Sequence, residues 1–353
     1  MKKICAALFL IVFICGVSWA DDDPLDKQID RLENIVYGSS PRPGGLINRL
    51  DAVEKDLYGT ELQGSLADRQ SAHIDFLEHG SNGQPSLLFK LSVAEWGLEL
   101  PNGAHNPLGL RISEIEKRLE GVPQDGKPLA MRVERAIGMI ISEPVAWEQL
   151  QIPEGTVVRL ALLETLKPAV VKKDDTVKFC LTENLLIGDR LVAPRGAPAL
   201  GRILSVRKPG MFGRPSQIKI QIESLNTVGA DTLPLTEGKQ AQKAAEFEAS
   251  YAAAAGTSLV GAIALGPLGL VGGAFIRGNA KEIPAGTIVY AQTASAASVY
   301  AYPVPESLKS LAEDKRYLVV SKEQKVELQA PEKMPRTAPA ETEPAPKKEI
   351  DSL

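Results

Sequence analysis

The chain has 353 residues, 44 % hydrophobic but only 5 % aromatic, with a formal net charge of -4 and three Cys. Residues 1–20 read as a secretory leader, with Lys2 and Lys3 at the basic end, an apolar run from Ala6, and Ser18-Trp19-Ala20 as the cleavage site. Without the leader, 333 residues remain, carrying a charge of -6 and the single thiol of Cys180, enough chain for two or three small domains. Export and negative charge argue against a nucleic-acid partner and a cytosolic metabolic enzyme, and one Cys excludes an intrachain disulfide. Cys15 follows Phe13-Ile14 inside the apolar run, not the small residues that precede a lipidated Cys.

The first third is periodic. Leu46, Leu50, Val53 and Leu57 form the stripe of one helix face, as do Leu108, Ile112, Ile115 and Leu119. The same 4-3-4 spacing starts at Leu25, Leu87 and Leu129, and a degraded copy runs Leu66, Gln70, His73, Leu77. The starts lie 20 or 21 residues apart, which predicts a six-copy helical repeat over 24–142. Gly38, Gly59 and Gly121 are expected to close helices in the left-handed conformation. Two charged columns keep the register: Arg49, Arg69, Lys90, Arg111 and Arg132 three after a start, and Glu33, Glu54, Glu95 and Glu116 eight after it. They are expected to be solvated flanks with weak local pairing in preference to a ligand-binding ladder. His73, His79 and His105 lack metal-ligand spacing, so no metal is expected, and Trp96 is expected to pack between repeats.

From Ile152 the pattern changes to short strands punctuated by Gly and Pro, which predicts a small antiparallel barrel or sandwich over 150–236 and 283–320. Ile218-Lys219-Ile220-Gln221-Ile222 is a half-buried strand. Cys180 is expected to be a buried structural thiol. Arg195, Arg202, Arg207, Lys208, Arg214 and Lys219 occur with no acidic residue among them, a patch suited to anionic headgroups, an anionic envelope polymer or the acidic helical region. The competing expectation is a solvated hairpin whose Phe212 covers the barrel end. The late segment Ile283-Pro284-Ala285-Gly286-Thr287-Ile288-Val289 echoes Ile152-Pro153-Glu154-Gly155-Thr156-Val157-Val158. It is expected to rejoin the same β domain, each motif making a turn with Pro in second place.

Between these strands, 238–280 reads as an inserted helix and glycine-rich helical hairpin. Ala249 to Ile276 are 28 consecutive uncharged residues. Gly256, Gly261, Gly266, Gly269 and Gly272 would let backbones approach closely, and Pro267 would fold the run back on itself. Insertion into a membrane, with or through self-association, burial as a soluble hairpin, and a flexible segment are the alternatives. Residues 329–353, rich in Pro, Glu, Ala and Lys, read as a disordered tail.

The order Ile152–Val158, then Val192–Gly201, the inserted hairpin and Ile283–Val289 resembles the periplasmic barrel domain of the outer-membrane channel subunit of conjugation-type secretion systems. The resemblance covers roughly residues 150–300. It implies a barrel that meets the outer membrane through an inserted two-helix projection and assembles into a ring. The helical units resemble degenerate repeats of exported bacterial surface proteins. No Ser/His/Asp set, His-x-x-Glu-His motif or P-loop occurs, so neither enzyme activity nor a cofactor is expected. The sequence therefore reads as a self-associating structural or assembly protein of the cell envelope, periplasmic or at the outer membrane. The alternative is a soluble periplasmic or extracellular binding module using the 195–219 patch.

Overall fold

Each Leu that opens a stripe opens a helix. In this computed structural model, which describes residues 24–81, 83–207, 216–254, 274–278 and 282–312, the helices are α1 (Leu25–Tyr37), α2 (Leu46–Tyr58), α3 (Leu66–Ile74), α4 (Leu87–Gly97), α5 (Leu108–Glu120) and α6 (Leu129–Ile140). Their starts are sharp for local reasons. The side chains of Ser65 and Ser86 accept from the N–H groups of Asp68 and Phe89, and Pro24, Pro107 and Pro128 stand immediately before α1, α5 and α6. Gly38, Gly59 and Gly121 end α1, α2 and α5 in the left-handed conformation. The third helix behaves differently: α3 passes into a π-helical turn, Asp75–His79.

The stripes bury a single core. Leu50, Val53, Leu57, Leu108, Ile112 and Ile115 are fully buried, while Leu46 and Leu119 are half-buried at its margin. α1 packs on α2, α3 and α5; α2 also packs on α6; and α4, α5 and α6 pack on one another. Gly59 shows how closely the α2 and α6 units approach, since a Cβ there would lie 2.9 Å from the ring of Pro128.

The β region forms two antiparallel sheets from β1 (Glu148–Ile152), β2 (Val157–Leu162), β3 (Thr176–Leu181), β4 (Leu185–Ile187), β5 (Arg190–Ala193), β6 (Pro198–Arg207), β7 (Ser216–Asn226), β8 (Thr232–Thr236), β9 (Ala274–Gly278), β10 (Ile288–Thr293) and β11 (Ala297–Pro303). The order β6-β3-β2-β10-β8-β7, with β7 pairing back to β6, closes a six-stranded barrel. Alternation supplies its filling: Leu160, Phe179, Ile203, Ile218, Ile220 and Ile222 are buried inside it. The remaining strands, in the order β1-β11-β5-β4, make a second sheet.

That second sheet joins the two halves. Its Leu191 and Tyr302 belong to the helical core, and Trp147, just before β1, stacks on Tyr300 with 4.0 Å between ring centroids. Trp96 is buried in the helical core, and its ring also meets Tyr302 of β11 edge-on at 6.0 Å. α4 is therefore buried on more than one face, which its sequence Leu87-Leu88-Phe89-Lys90-Leu91 already accommodates.

The two Ile-Pro-x-Gly-Thr segments sit at opposite ends of the β2–β10 pair, whose register runs from Ala161 opposite Ile288 to Val157 opposite Gln292. Their turns place Pro first, not second: Thr156 N–H reaches Pro153 O (3.4 Å) and Thr287 N–H reaches Pro284 O (3.3 Å). Gly155 and Gly286 then stand third with φ of +82° and +81°, which explains Gly at both places.

The inserted segment begins as a helix, α7 (Lys239–Ala254), but it does not return as one. Ala274–Gly278 is β9, paired antiparallel to β7 from Ser216 opposite Gly278 to Ile220 opposite Ala274. The helical-hairpin expectation is corrected at that end, where backbone pairing with an open edge of β7 prevails over helix. After β11 come a 3-10 turn (Glu306–Leu308) and α8 (Lys309–Ala312). Among the described residues no helix is long and apolar enough to cross a membrane.

Candidate functional site

The two charged columns of the helical units are not solvated. They meet across successive helices as buried ion pairs: Arg49 with Glu33, Arg69 with Glu54, Arg111 with Glu95, and Arg132 with Glu116, at 2.6–2.8 Å. Each guanidinium donates through Nε and Nη2 to the two carboxylate oxygens of its partner. Each carboxylate also accepts one loop N–H, from Arg42, Leu62, Gly103 or Gln124. The device thus ties the end of one helix, the following loop and the start of the next. It fails at the third junction, where Ile74 stands in the Glu column and Lys90 turns to Glu134 instead. A ligand ladder is ruled out at these four places, because both partners are spent on each other.

Burial alone would raise the carboxyls of Glu33, Glu54 and Glu116. Hydrogen bonds from the Arg partner and the loop N–H, with the guanidinium charge, outweigh it and hold all three below the ordinary value. Glu54 carries one more partner. His73, fully buried at a stripe position, has Nε2 2.8 Å from Glu54 Oε1 and Nδ1 3.0 Å from the Tyr58 hydroxyl. Burial lowers the His73 pKa despite the attraction of Glu54, so the ring is neutral. The neutral ring then donates from Nε2 and accepts the Tyr58 O–H at Nδ1.

On the barrel, side chains of the wall hold α7. Gln292 Oε1 of β10 accepts the N–H groups of Gln240 (2.9 Å) and Ala241 (3.2 Å), capping the helix from outside. Glu248 receives Arg159 Nη2 of β2 at 2.8 Å and the Tyr290 hydroxyl of β10. Burial would raise the Glu248 carboxyl, but these two hydrogen bonds and the Arg159 charge bring it below its ordinary value.

Of the basic patch, Arg202 pairs with Glu223 across the β6–β7 ladder at 2.9 Å, so it is not a free cation. The sequence window ended four residues too early to include that partner. Arg195 is exposed in the β5–β6 loop, Arg207 is exposed near the end of β6, and Lys219 is half-buried on β7. Lys208, Arg214 and Phe212 lie outside the described residues, as do Gly256, Gly261, Gly266, Pro267, Gly269 and Gly272.

Cys180 is half-buried on β3 instead of fully buried; burial raises its thiol against the opposing charge of Arg195, the reverse of nucleophile activation. No group of His, Cys, Asp and Glu among the described residues could hold a metal. A polar groove of about 590 Å³ beside α1 is lined by Lys27, Asp30, Arg31, His105 and Arg111. Three of these are already engaged: Asp30 with Arg49, Arg31 with Glu78, and Arg111 with Glu95. No protein-family model matches the chain, and no curated protein matches it.

Proposed function

We propose that this chain is a non-enzymatic structural or assembly protein of the bacterial cell envelope. It is exported on its leader, associates with copies of itself, and meets a membrane or envelope polymer through the glycine-spaced segment 255–273. The observation that carries this reading is the way the barrel holds both ends of that insertion. α7 is fastened by Arg159, Tyr290 and Gln292, and β9 pairs with β7, so the uncharged run starts and ends on a fixed base. Gly costs up to about 1 kcal/mol per residue in a water-exposed helix, and close helix approach can offset that cost. The resemblance of the 150–300 region to a ring-forming barrel points the same way.

The helical half is read as six copies of one 21-residue unit that form a framework for assembly. Three of its four Arg–Glu pairs share one sequence offset of 16 residues, and the fourth has 15.

Fractionating native envelopes with high salt, carbonate and detergent tests the proposal. The protein should resist salt and carbonate and be released by detergent, and crosslinking should trap oligomers. Replacing 255–273 by a Gly/Ser linker should move it to the soluble fraction. An intact protein that stays monomeric without detergent and ignores added vesicles would overturn the proposal.

A further inference from the structure

Five of the six stripe positions seven residues into a unit are apolar: Leu32, Val53, Ala94, Ile115 and Ala136. The sixth is His73, and it is as deeply buried as the others. It stands in the unit whose helix is shortest and whose Glu column is broken by Ile74, so this unit lacks the Arg–Glu tie to α4. Hydrogen bonds of His73 to Glu54 and Tyr58 supplement the Arg69–Glu54 pair in attaching α3 to α2.

We propose that His73 is an acid-sensitive latch: neutral, it closes the α2–α3 contact, and protonated, it lets α3 and the π-helical turn behind it open. The charged and titratable groups around it are few. α2 contributes Glu54 and Tyr58, with Asp51 reaching Arg69 at 2.5 Å, and α3 contributes Arg69 itself. α1 and the π-helical turn, which also pack here, bring the Arg31–Glu78 pair at 2.7 Å. A proton on His73 adds a second cation to a carboxylate already bound by Arg69, where both His73 and Glu54 are fully buried. It also removes the acceptor that Tyr58 uses.

The sign follows from linkage. Burial holds the folded-state pKa of His73 below its usual 6.5, so the opened form binds more protons in the window beneath that value. The contribution is complete above pH 6.5 and is lost as pH falls towards the folded value. Hydrogen exchange of the full chain, corrected for intrinsic rates, reads it directly. As pH falls below about 6.5, protection across 66–79 should fall by up to about tenfold per pH unit, while the barrel strands hold theirs. His73→Val, which restores an apolar stripe, should abolish that slope, and His79→Gln with His105→Gln should leave it intact. If His73→Val fails to fold, His73→Gln keeps hydrogen-bonding capacity without the titration and should flatten the slope in the same way. Protection that is level with pH in the unmodified chain, or an undiminished slope in the folded His73 variant, would overturn the latch.

Discussion

The helical half and the barrel solve the same problem with opposite materials. Short helices with a single stripe cannot hold their order in water alone, and here charge supplements the stripe: four guanidinium–carboxylate pairs, almost free of solvent, fix a helix to the next loop and helix at every junction but that of α3 with α4. The barrel buries an apolar interior, and its cross-strand ion pair Arg202–Glu223 lies on the outside. A buried pair adds little net stability over a well-packed apolar substitute, yet it is costly to break on one side only. The helical half is therefore the part vulnerable to changes in charge, and the barrel the part vulnerable to changes in volume.

Acid should separate the two most strongly. Glu33, Glu54 and Glu116 have folded-state pKa values below their ordinary 4.5, so their contribution is present above that pH and is lost as pH falls through the depressed values. Hydrogen exchange on acidification below about pH 4.5 should show α1–α6 opening before β2, β3 and β10. Coincident opening of both halves would show that the Trp147–Tyr300 and Trp96–Tyr302 contacts make them one cooperative unit.

Single substitutions sharpen the contrast. Glu116→Ala leaves buried Arg132 with only the Ser113 hydroxyl and the exposed Asp125 carboxylate at 3.8 Å, and should cost about 3–5 kcal/mol in urea unfolding. Phe179→Ala, which empties the fully buried centre of the barrel without touching a charge, should cost a similar ~3–5 kcal/mol. The two should differ in pH response: the first should cost less as acid protonates Glu116 in the unmodified chain, and the second should be indifferent to pH. Gly286→Ala should cost less, about 1–2 kcal/mol. No atom lies within 4 Å of the added Cβ, so the loss is that of forcing a side chain to φ +81°.

What could be read in advance follows the same division. The stripes and Gly caps are local, so helix starts and ends were legible at Leu46, Leu108, Gly38 and Gly59. The Arg and Glu columns were visible too, but their meaning was not. A pair 16 residues apart meets only once the intervening loop has turned the next helix back, and each side chain alone looks like the polar flank of an amphipathic helix. His73 was legible as a break in the stripe, while its partners Glu54 and Tyr58 lie on another helix. In the barrel, alternation showed Ile218, Ile220 and Ile222, and the echoed Ile-Pro-x-Gly-Thr motif brought β10 back to β2. The return of 274–278 as a strand was hidden, because the glycine-rich composition around it carries no period of two and its pairing partner lies over fifty residues earlier.

The smallest effect is expected at Arg202. Its pair with Glu223 has good geometry at 2.9 Å, but the two side chains are 52 % and 36 % exposed, so solvent screens the attraction in a way it cannot at Arg132, which is 6 % exposed. Arg202→Ala should change stability by no more than about 0–1 kcal/mol, and Glu223→Ala by a similar amount. The two together should show little coupling in a double-mutant cycle. The same variants test the surface role of the patch. Glu223→Ala frees the Arg202 guanidinium, so if residues 195–219 meet anionic headgroups, it should strengthen sedimentation with phosphatidylglycerol vesicles and Arg202→Ala should weaken it. Both effects should fade as salt shortens the screening length. Equal sedimentation of both variants at low salt would remove Arg202 from any such surface.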